Sequence, residues 1–162
     1  MIRVAVLTVS TRGAAGERLD TSGDTIVSWV KSHGYELVGR DLVKDDKSII
    51  AATISRWADL GAADLILTTG GTGLAAHDHT PEATRAVIQR EAPGIAEYLR
   101  AMSWPTFPRA ALSRGVAGVR GAALIVNLPG SPGGVTDGLN ALDHFAEHAV
   151  ELLKGNTEHG GG

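Results

Sequence analysis

The sequence predicts an α/β protein of three layers, α/β/α, with a mostly parallel central sheet. Apolar runs of strand length alternate with segments of helical period in the order βαβαβα, the pattern of a parallel sheet with helices on both faces. The helical segments supply the crossovers that parallel neighbours need. At 162 residues the chain fits one domain with a full core. We take that domain as residues 1–154 and expect 155–162 to form a disordered tail.

Residues 2–9, IRVAVLTV, are rich in β-branched side chains and run into Ser10-Thr11-Arg12-Gly13, a buried first strand and then a loop. The loop stays polar through Asp20-Thr21-Ser22-Gly23-Asp24. Ile26, Trp29, Val30 and His33 then recur at i, i+3, i+4 and i+7, which predicts a helix capped by Ser22 and stopped at Gly34. Glu36–Val43 reads as the second strand. The helix after it places Ile50, Thr53, Ile54, Trp57 and Ala58 on one face, with Asp46 as cap and Gly61 at its end. Leu65-Ile66-Leu67 is a short third strand. Beyond Thr80-Pro81 a helix carries Ala83, Val87 and Ile88 inward, is interrupted at Pro93-Gly94 and resumes through Ile95, Leu99 and Met102. Residues 103–108, SWPTFP, form a proline-broken surface turn whose Trp104 and Phe107 are candidates for a subunit contact. Residues 113–119 are glycine-punctuated, an irregular strand or hairpin. Residues 122–128, AALIVNL, are a buried strand. Val135, Leu139, Leu142, Ala146, Ala149 and Leu153 then trace one face of a single last helix entered at Ser131-Pro132.

Composition removes several function classes. Lys and Arg number 15 against 18 acids, for a net charge of −3, and they are scattered, so no nucleic-acid partner is expected. A bound phosphate needs local donors or a metal. There is no cysteine, which excludes thiolate metal sites and cysteine nucleophiles. The start, MIRVAVLTVS, has one basic residue and runs straight into a strand pattern, unlike a signal peptide. No apolar run reaches the ~18 residues of a membrane span, so a cytoplasmic protein is expected.

The stretch around which the chain is arranged is 63–83, where an apolar strand breaks into Thr69-Gly70-Gly71-Thr72-Gly73 and restarts as a helix at Thr80-Pro81. Three glycines in four residues let several N–H groups converge on one anion. Thr80 as N-cap and Pro81 at the first helical position bring a helix N-terminus to the same spot. The turn matches neither the Walker A pattern, since no Lys follows, nor GxGxxG. Ligands of an open α/β sheet bind beyond the carboxyl ends of its strands. Four polar loops follow strands, at 10–23, 45–46, 70–78 and 127–131, and so gather there with Asp20, Asp45, Asp46 and Asp78. Helix capping accounts for Asp46. Acids beside a phosphate cradle suit a divalent ion, and Mg²⁺ takes one or two carboxylates with water and phosphate oxygens completing its shell. His77-Asp78-His79 is a poor transition-metal site, because two imidazoles on an extended segment diverge. No G-x-S-x-G elbow makes Ser10 a hydrolase nucleophile.

TTGGTG followed by Asp78-x-Thr80-Pro81-Glu82-Ala83, the Asp-x-Ser-Gly at 20–23, and Asn127-Leu128-Pro129-Gly130-Ser131-Pro132 together resemble the MoaB/Mog family of molybdenum-cofactor biosynthesis proteins, over residues 2–153. The resemblance implies a molybdopterin-binding fold, self-association to trimers or hexamers, and contact with other proteins of the pathway. It implies an adenylyltransferase that converts molybdopterin and ATP, with Mg²⁺, into adenylylated molybdopterin and pyrophosphate. It also admits a second reading, a non-catalytic molybdopterin-binding or assembly protein. Carried over by motif, Asp45 and Asp78 are catalytic through the metal, and Gly70, Gly71, Thr72 and Gly73 cradle phosphates. Ser10, Asp20, Ser22, Gly23, Thr80, Pro129, Gly130 and Ser131 line the nucleotide and pterin pocket. Many relatives place Arg immediately before the motif Asp; here it is His77, a weaker phosphate partner. The attacking group would be the pterin's own ionised phosphate, so no Ser, Cys or His nucleophile is needed, only alignment and charge neutralisation.

Overall fold

The computed structural model describes residues 1–156. Its parallel strands are β1 (Arg3–Val9), β2 (Glu36–Val43), β3 (Leu65–Thr69) and β6 (Ala123–Leu128); β5 (Ala117–Arg120) is antiparallel to β6, and the two-residue β4 (Arg90–Glu91) is antiparallel to β5. Across the sheet the order is β2-β1-β3-β6-β5-β4. The chain leaves β1 toward β2 and then crosses to β3 on its other side, so the topological switch point lies between β1 and β3. Ligands of such sheets bind there.

Around the sheet are α1 (Thr11–Ala14), α2 (Thr21–Ser32), α3 (Lys47–Asp59), α4 (Thr80–Val87), α5 (Pro93–Ser103), α6 (Pro132–Leu142) and α7 (Ala146–Leu153). Successive strand residues point to opposite faces, and this divides the core in two. Val4, Val6, Leu65, Leu67, Leu124 and Val126 pack with Ile26 and Val30 of α2, Leu99 of α5, Val135 and Leu139 of α6 and Val150 of α7. Ala5, Leu7, Val9, Ile66 and Ile125 pack with Ile50, Ile54 and Trp57 of α3 and with Ala83 and Val87 of α4. The expected three-layer α/β/α architecture is therefore the observed one.

At the amino edge of the sheet, away from the loops that matter for function, Asp64 is 3% exposed. Burial alone would raise its pKa, but bonds from the Arg3 N–H, Nε and Nη2, with Lys154 Nζ at 3.3 Å, outweigh it and hold the carboxyl below its ordinary range. This clamp joins β1, the entry to β3 and the end of α7. Its contribution is present above the unfolded-state pKa and is lost as pH falls through the folded one.

Four local expectations need correction. The cap of α2 is Asp20, which accepts from Gly23 N–H, and Ser22 sits inside the helix. Thr80 is the first residue of α4 rather than its cap; His79 precedes it and makes no side-chain capping bond. The helix after Pro81 ends at Val87, and β4 intervenes before α5; two charged residues on a sheet edge carry no periodicity to announce a strand. The last helix is two helices, broken at Asp143-His144-Phe145. Asp143 Oδ1 accepts from Trp29 Nε1 at 2.9 Å and lies 2.8 Å from His33 Nε2, which pins the break to α2. Since α6 and α7 cover the same face of the sheet, apolar spacing continues across it. Of the tail, Gly155 and Asn156 donate to Leu152 O and Glu151 O, finishing α7, and 157–162 lie outside the described residues.

Candidate active site

Gly70 and Gly71 turn the chain away from β3 with φ of 93° and 68°. The turn is pinned at both ends. Gly70 N–H donates to Leu128 O at 3.3 Å, the Thr80 hydroxyl to Gly70 O at 2.9 Å, and Thr80 N–H to Gly71 O at 3.1 Å. Thr80, fully buried, thus ties α4 to the turn. The N–H groups of Gly71, Thr72 and Gly73 have no acceptor among the described residues. Consecutive open donors beside a helix N-terminus attract an anion.

Two carboxylates flank this turn. Asp45 Oδ1 accepts from His79 N–H at 3.0 Å and lies 3.1 Å from His79 Nδ1. Asp78 Oδ2 accepts from Ala75 N–H at 3.1 Å. A methyl group on Gly71 would stand 2.8 Å from Asp45 Oδ2, and one on Gly73 would stand 2.8 Å from Asp78 Oδ2, so both acids press against the same short segment. The Asp45 side chain is 8% exposed. Burial pushes its pKa up, bonding and charge from His79 draw it back in part, and the neighbouring Asp78 raises it. Among the described residues no three His, Cys, Asp or Glu are grouped to hold a metal ion. Asp45 and Asp78 each keep one oxygen without a hydrogen bond among those residues. This all-oxygen pair fits an ion that draws its other ligands from water and phosphate, as Mg²⁺ does.

Gly70 also lines a cleft of about 690 Å³, with Thr8, Ser10, Arg18, Leu19, Asp20, Thr21, Ser22, Leu42, Thr69, Gly130 and Ser131 among others. The N-termini of α2 and α6 face it, while Leu19 and Leu42 make one wall apolar. Its rim is locked by hydroxyls: Thr69 donates to Pro129 O at 2.7 Å and Ser22 to Gly130 O at 2.9 Å. Ser131 caps α6 by accepting from Gly134 N–H. Asp20 caps α2 with one oxygen, while the other accepts from the Thr8 hydroxyl and from Arg40, which also pairs with Asp24.

Ser10, Asp20, Ser22, Gly70, Gly130 and Ser131 meet in the cleft. Gly23 lies one residue behind, bonded to Asp20, and Pro129 lines a small separate cavity under α5 and α6. Gly71, Thr72, Gly73, Thr80, Asp45 and Asp78 are not cleft walls. They cluster around the turn itself, with Thr80 and Asp45 beside Gly71 and Asp78 beside Gly73.

Sequence reasoning missed Arg114, which is central to that cluster. Its N–H donates to Thr72 O at 2.8 Å, Nε to Gly73 O at 2.7 Å and Nη2 to Asp78 O at 3.0 Å, and Nη1 pairs with Glu82. The signal was strand direction. Because β5 is antiparallel to β6, with Ala117 opposite Val126, the residues before β5 return to the carboxyl edge of the parallel strands. A segment read as irregular gives no direction, so Arg114 could not be placed. Arg40 was missed for a simpler reason: nothing marked which face of the edge strand it occupies.

A doubly wound α/β sheet with an N–H-lined turn at its switch point and a cleft between two helix N-termini defines a protein built to hold phosphate-bearing ligands. The family described as "Probable molybdopterin binding domain" matches residues 5–148, and the chain belongs to it. It is 38% identical over 169 aligned positions to the molybdopterin adenylyltransferase of Escherichia coli K12, covering 95% of this chain and 86% of that one. It is 36% identical to the Helicobacter pylori J99 enzyme of the same name, covering 96% and 89%. Among solved structures, the molybdopterin biosynthesis enzyme MoaB of Thermus thermophilus superposes with a TM-score of 0.90 at 48% identity, covering 96% of this chain and 98% of that one. No helix among the described residues is long and apolar enough to cross a membrane.

Proposed function

We propose that the chain is a molybdopterin adenylyltransferase of molybdenum-cofactor biosynthesis. In this reading a terminal phosphate oxygen of molybdopterin bonds to the α-phosphorus of ATP as the bond to the β-phosphate oxygen breaks, giving adenylylated molybdopterin and pyrophosphate. The observation that carries it is a roomy cleft lined by Gly70, continued along the turn by three open N–H groups flanked by Asp45 and Asp78. The names of the enzymes with which it shares more than a third of its residues support it.

The chain's own residues would bind and align. The N–H groups of Gly71, Thr72 and Gly73 take phosphate oxygens, and the N-termini of α2 and α6 with Arg18 add positive potential along the cleft. Leu19 and Leu42 cover the flat face of a ring. Asp45 and Asp78 would hold Mg²⁺, which when bound supplies charge neutralisation for phosphoryl transfer. Ser10, Asp20, Gly23, Thr80 and Pro129 fix the loops. Incubating the purified chain with ATP, Mg²⁺ and molybdopterin is expected to yield adenylylated molybdopterin and pyrophosphate in equal amounts. Pterin binding without that product would replace this reading with the non-catalytic molybdopterin-binding protein.

We also assign self-association to the exposed apolar segment after α5, where Trp104 is 50%, Phe107 38% and Leu112 51% exposed. Such a cluster on one short stretch is a subunit contact in the making. Light scattering is expected to return a multiple of the 16.8 kDa chain mass, three or six copies. A Trp104→Glu variant that keeps the wild-type mass would put the contact elsewhere.

A further inference from the structure

Behind the turn that carries Asp78, a second cavity of about 530 Å³ lies among α4, α5 and the approach to β5. Three arginines line it, Arg85, Arg100 and Arg114, with Glu82 as the one carboxylate in its wall. Arg114 pairs with Glu82. Arg85 approaches Glu91 only at 4.0 Å. Arg100 has no carboxylate partner among the described residues: its Nη1 donates to Ser113 O at 3.3 Å and Gly115 O at 2.8 Å, and its Nε and Nη2 are unused. In a chain of net charge −3, this is a local excess of positive charge.

A half-buried guanidinium that is held by carbonyls, lacks a carboxylate partner and keeps donors in reserve is open to an anion. Guanidinium groups present planar, paired N–H donors that match the oxygens of phosphate. We propose that this cavity is a second anion site, for a phosphate-type oxyanion, separate from the cleft at Gly70. Arg114 belongs to both places, since it also bonds Gly73 O and Asp78 O. An anion drawing on Arg114 bears directly on the position of the turn.

The chemistry is shared by free phosphate and by the phosphate groups of a nucleotide, and two titrations separate them. Inorganic phosphate and ATP are each titrated calorimetrically into the full chain at constant ionic strength, and into Arg100→Gln and Arg85→Gln. Loss of a charge-assisted contact is expected to weaken phosphate binding about tenfold in each variant. Unchanged ATP affinity then assigns the site to the free ion, and parallel weakening of ATP assigns it to the nucleotide. Arg85, with 59% of its side chain exposed, is replaceable without loss of fold, so the test survives if Arg100→Gln misfolds. Absence of phosphate and ATP binding to the wild type, or equal affinities in wild type and Arg85→Gln for both probes, overturns the proposal. So does a fall in oligomeric mass in the arginine variants without any anion binding, which would give the cavity to a neighbouring subunit's carboxylate. Because the readout is binding, failure of the adenylyl-transfer assay leaves this result standing.

Discussion

Gly70→Ala is expected to destabilise the fold by about 4 kcal/mol, from left-handed backbone strain plus overpacking. A Cβ at this position would lie 2.2 Å from the carbonyl oxygen of Val9, and that obstacle is backbone of β1 rather than a side chain that can swing away. With φ at 93° the residue also sits where L side chains are strained. Relief would have to come from moving the turn, which would break the Leu128 and Thr80 bonds that pin it. Gly16→Ala is the matched control: its φ is 77°, and nothing lies within 4 Å of the added methyl, so only the backbone cost of about 1 kcal/mol remains. Denaturant unfolding of both variants at unchanged m reads the difference directly. Equal losses would mean that the close approach to Val9 is not what demands glycine.

That close approach is an example of what a sequence can and cannot announce. The glycines of the turn were legible because a strand pattern stopped at them and a helix pattern followed. The four loops could be gathered on one edge because parallel strands put their carboxyl ends together, a rule independent of detail. The separation of the two acids from the cleft lining was not legible. It depends on Gly70 passing so close to the end of β1 that the turn beyond it, with its two acids, leaves the wall of the cleft. Residue type assigns Ser22 and Thr80 to caps, yet both are hydroxyls joining distant loops, to Gly130 and Gly70. Capping propensity is local, whereas these bonds span up to 108 residues of sequence. The break between α6 and α7 was hidden because one sheet face demands the same spacing from both helices.

The largest functional effect is expected from the two acids, and their replacement separates charge from structure. Asn at 78 retains an oxygen that can accept from Ala75 N–H, so Asp78→Asn should keep the fold while lowering adenylyl transfer about a thousandfold, because it removes a carboxylate that would hold the phosphate-neutralising cation. Asp45→Asn should lower it similarly, with the opposite consequence for stability. The buried Asp45 carboxyl has its pKa raised above the ordinary value of 3.8, so the folded state binds its proton more tightly than the unfolded state does. Asp45 therefore favours the fold most below the ordinary value, and that contribution is lost as pH rises through the raised one. At neutral pH the ionised group is a cost, which Asn removes while its oxygen still accepts from His79 N–H. The expected pair of results is a higher unfolding midpoint for Asp45→Asn at pH 7, with the gain shrinking as pH falls past the raised pKa, and activity all but lost. A site that trades stability for a poised carboxylate behaves in this way. If Asp45→Asn is instead destabilised at pH 7, the carboxylate is an ordinary structural acceptor for His79, and its place in the chemistry falls with the stability argument.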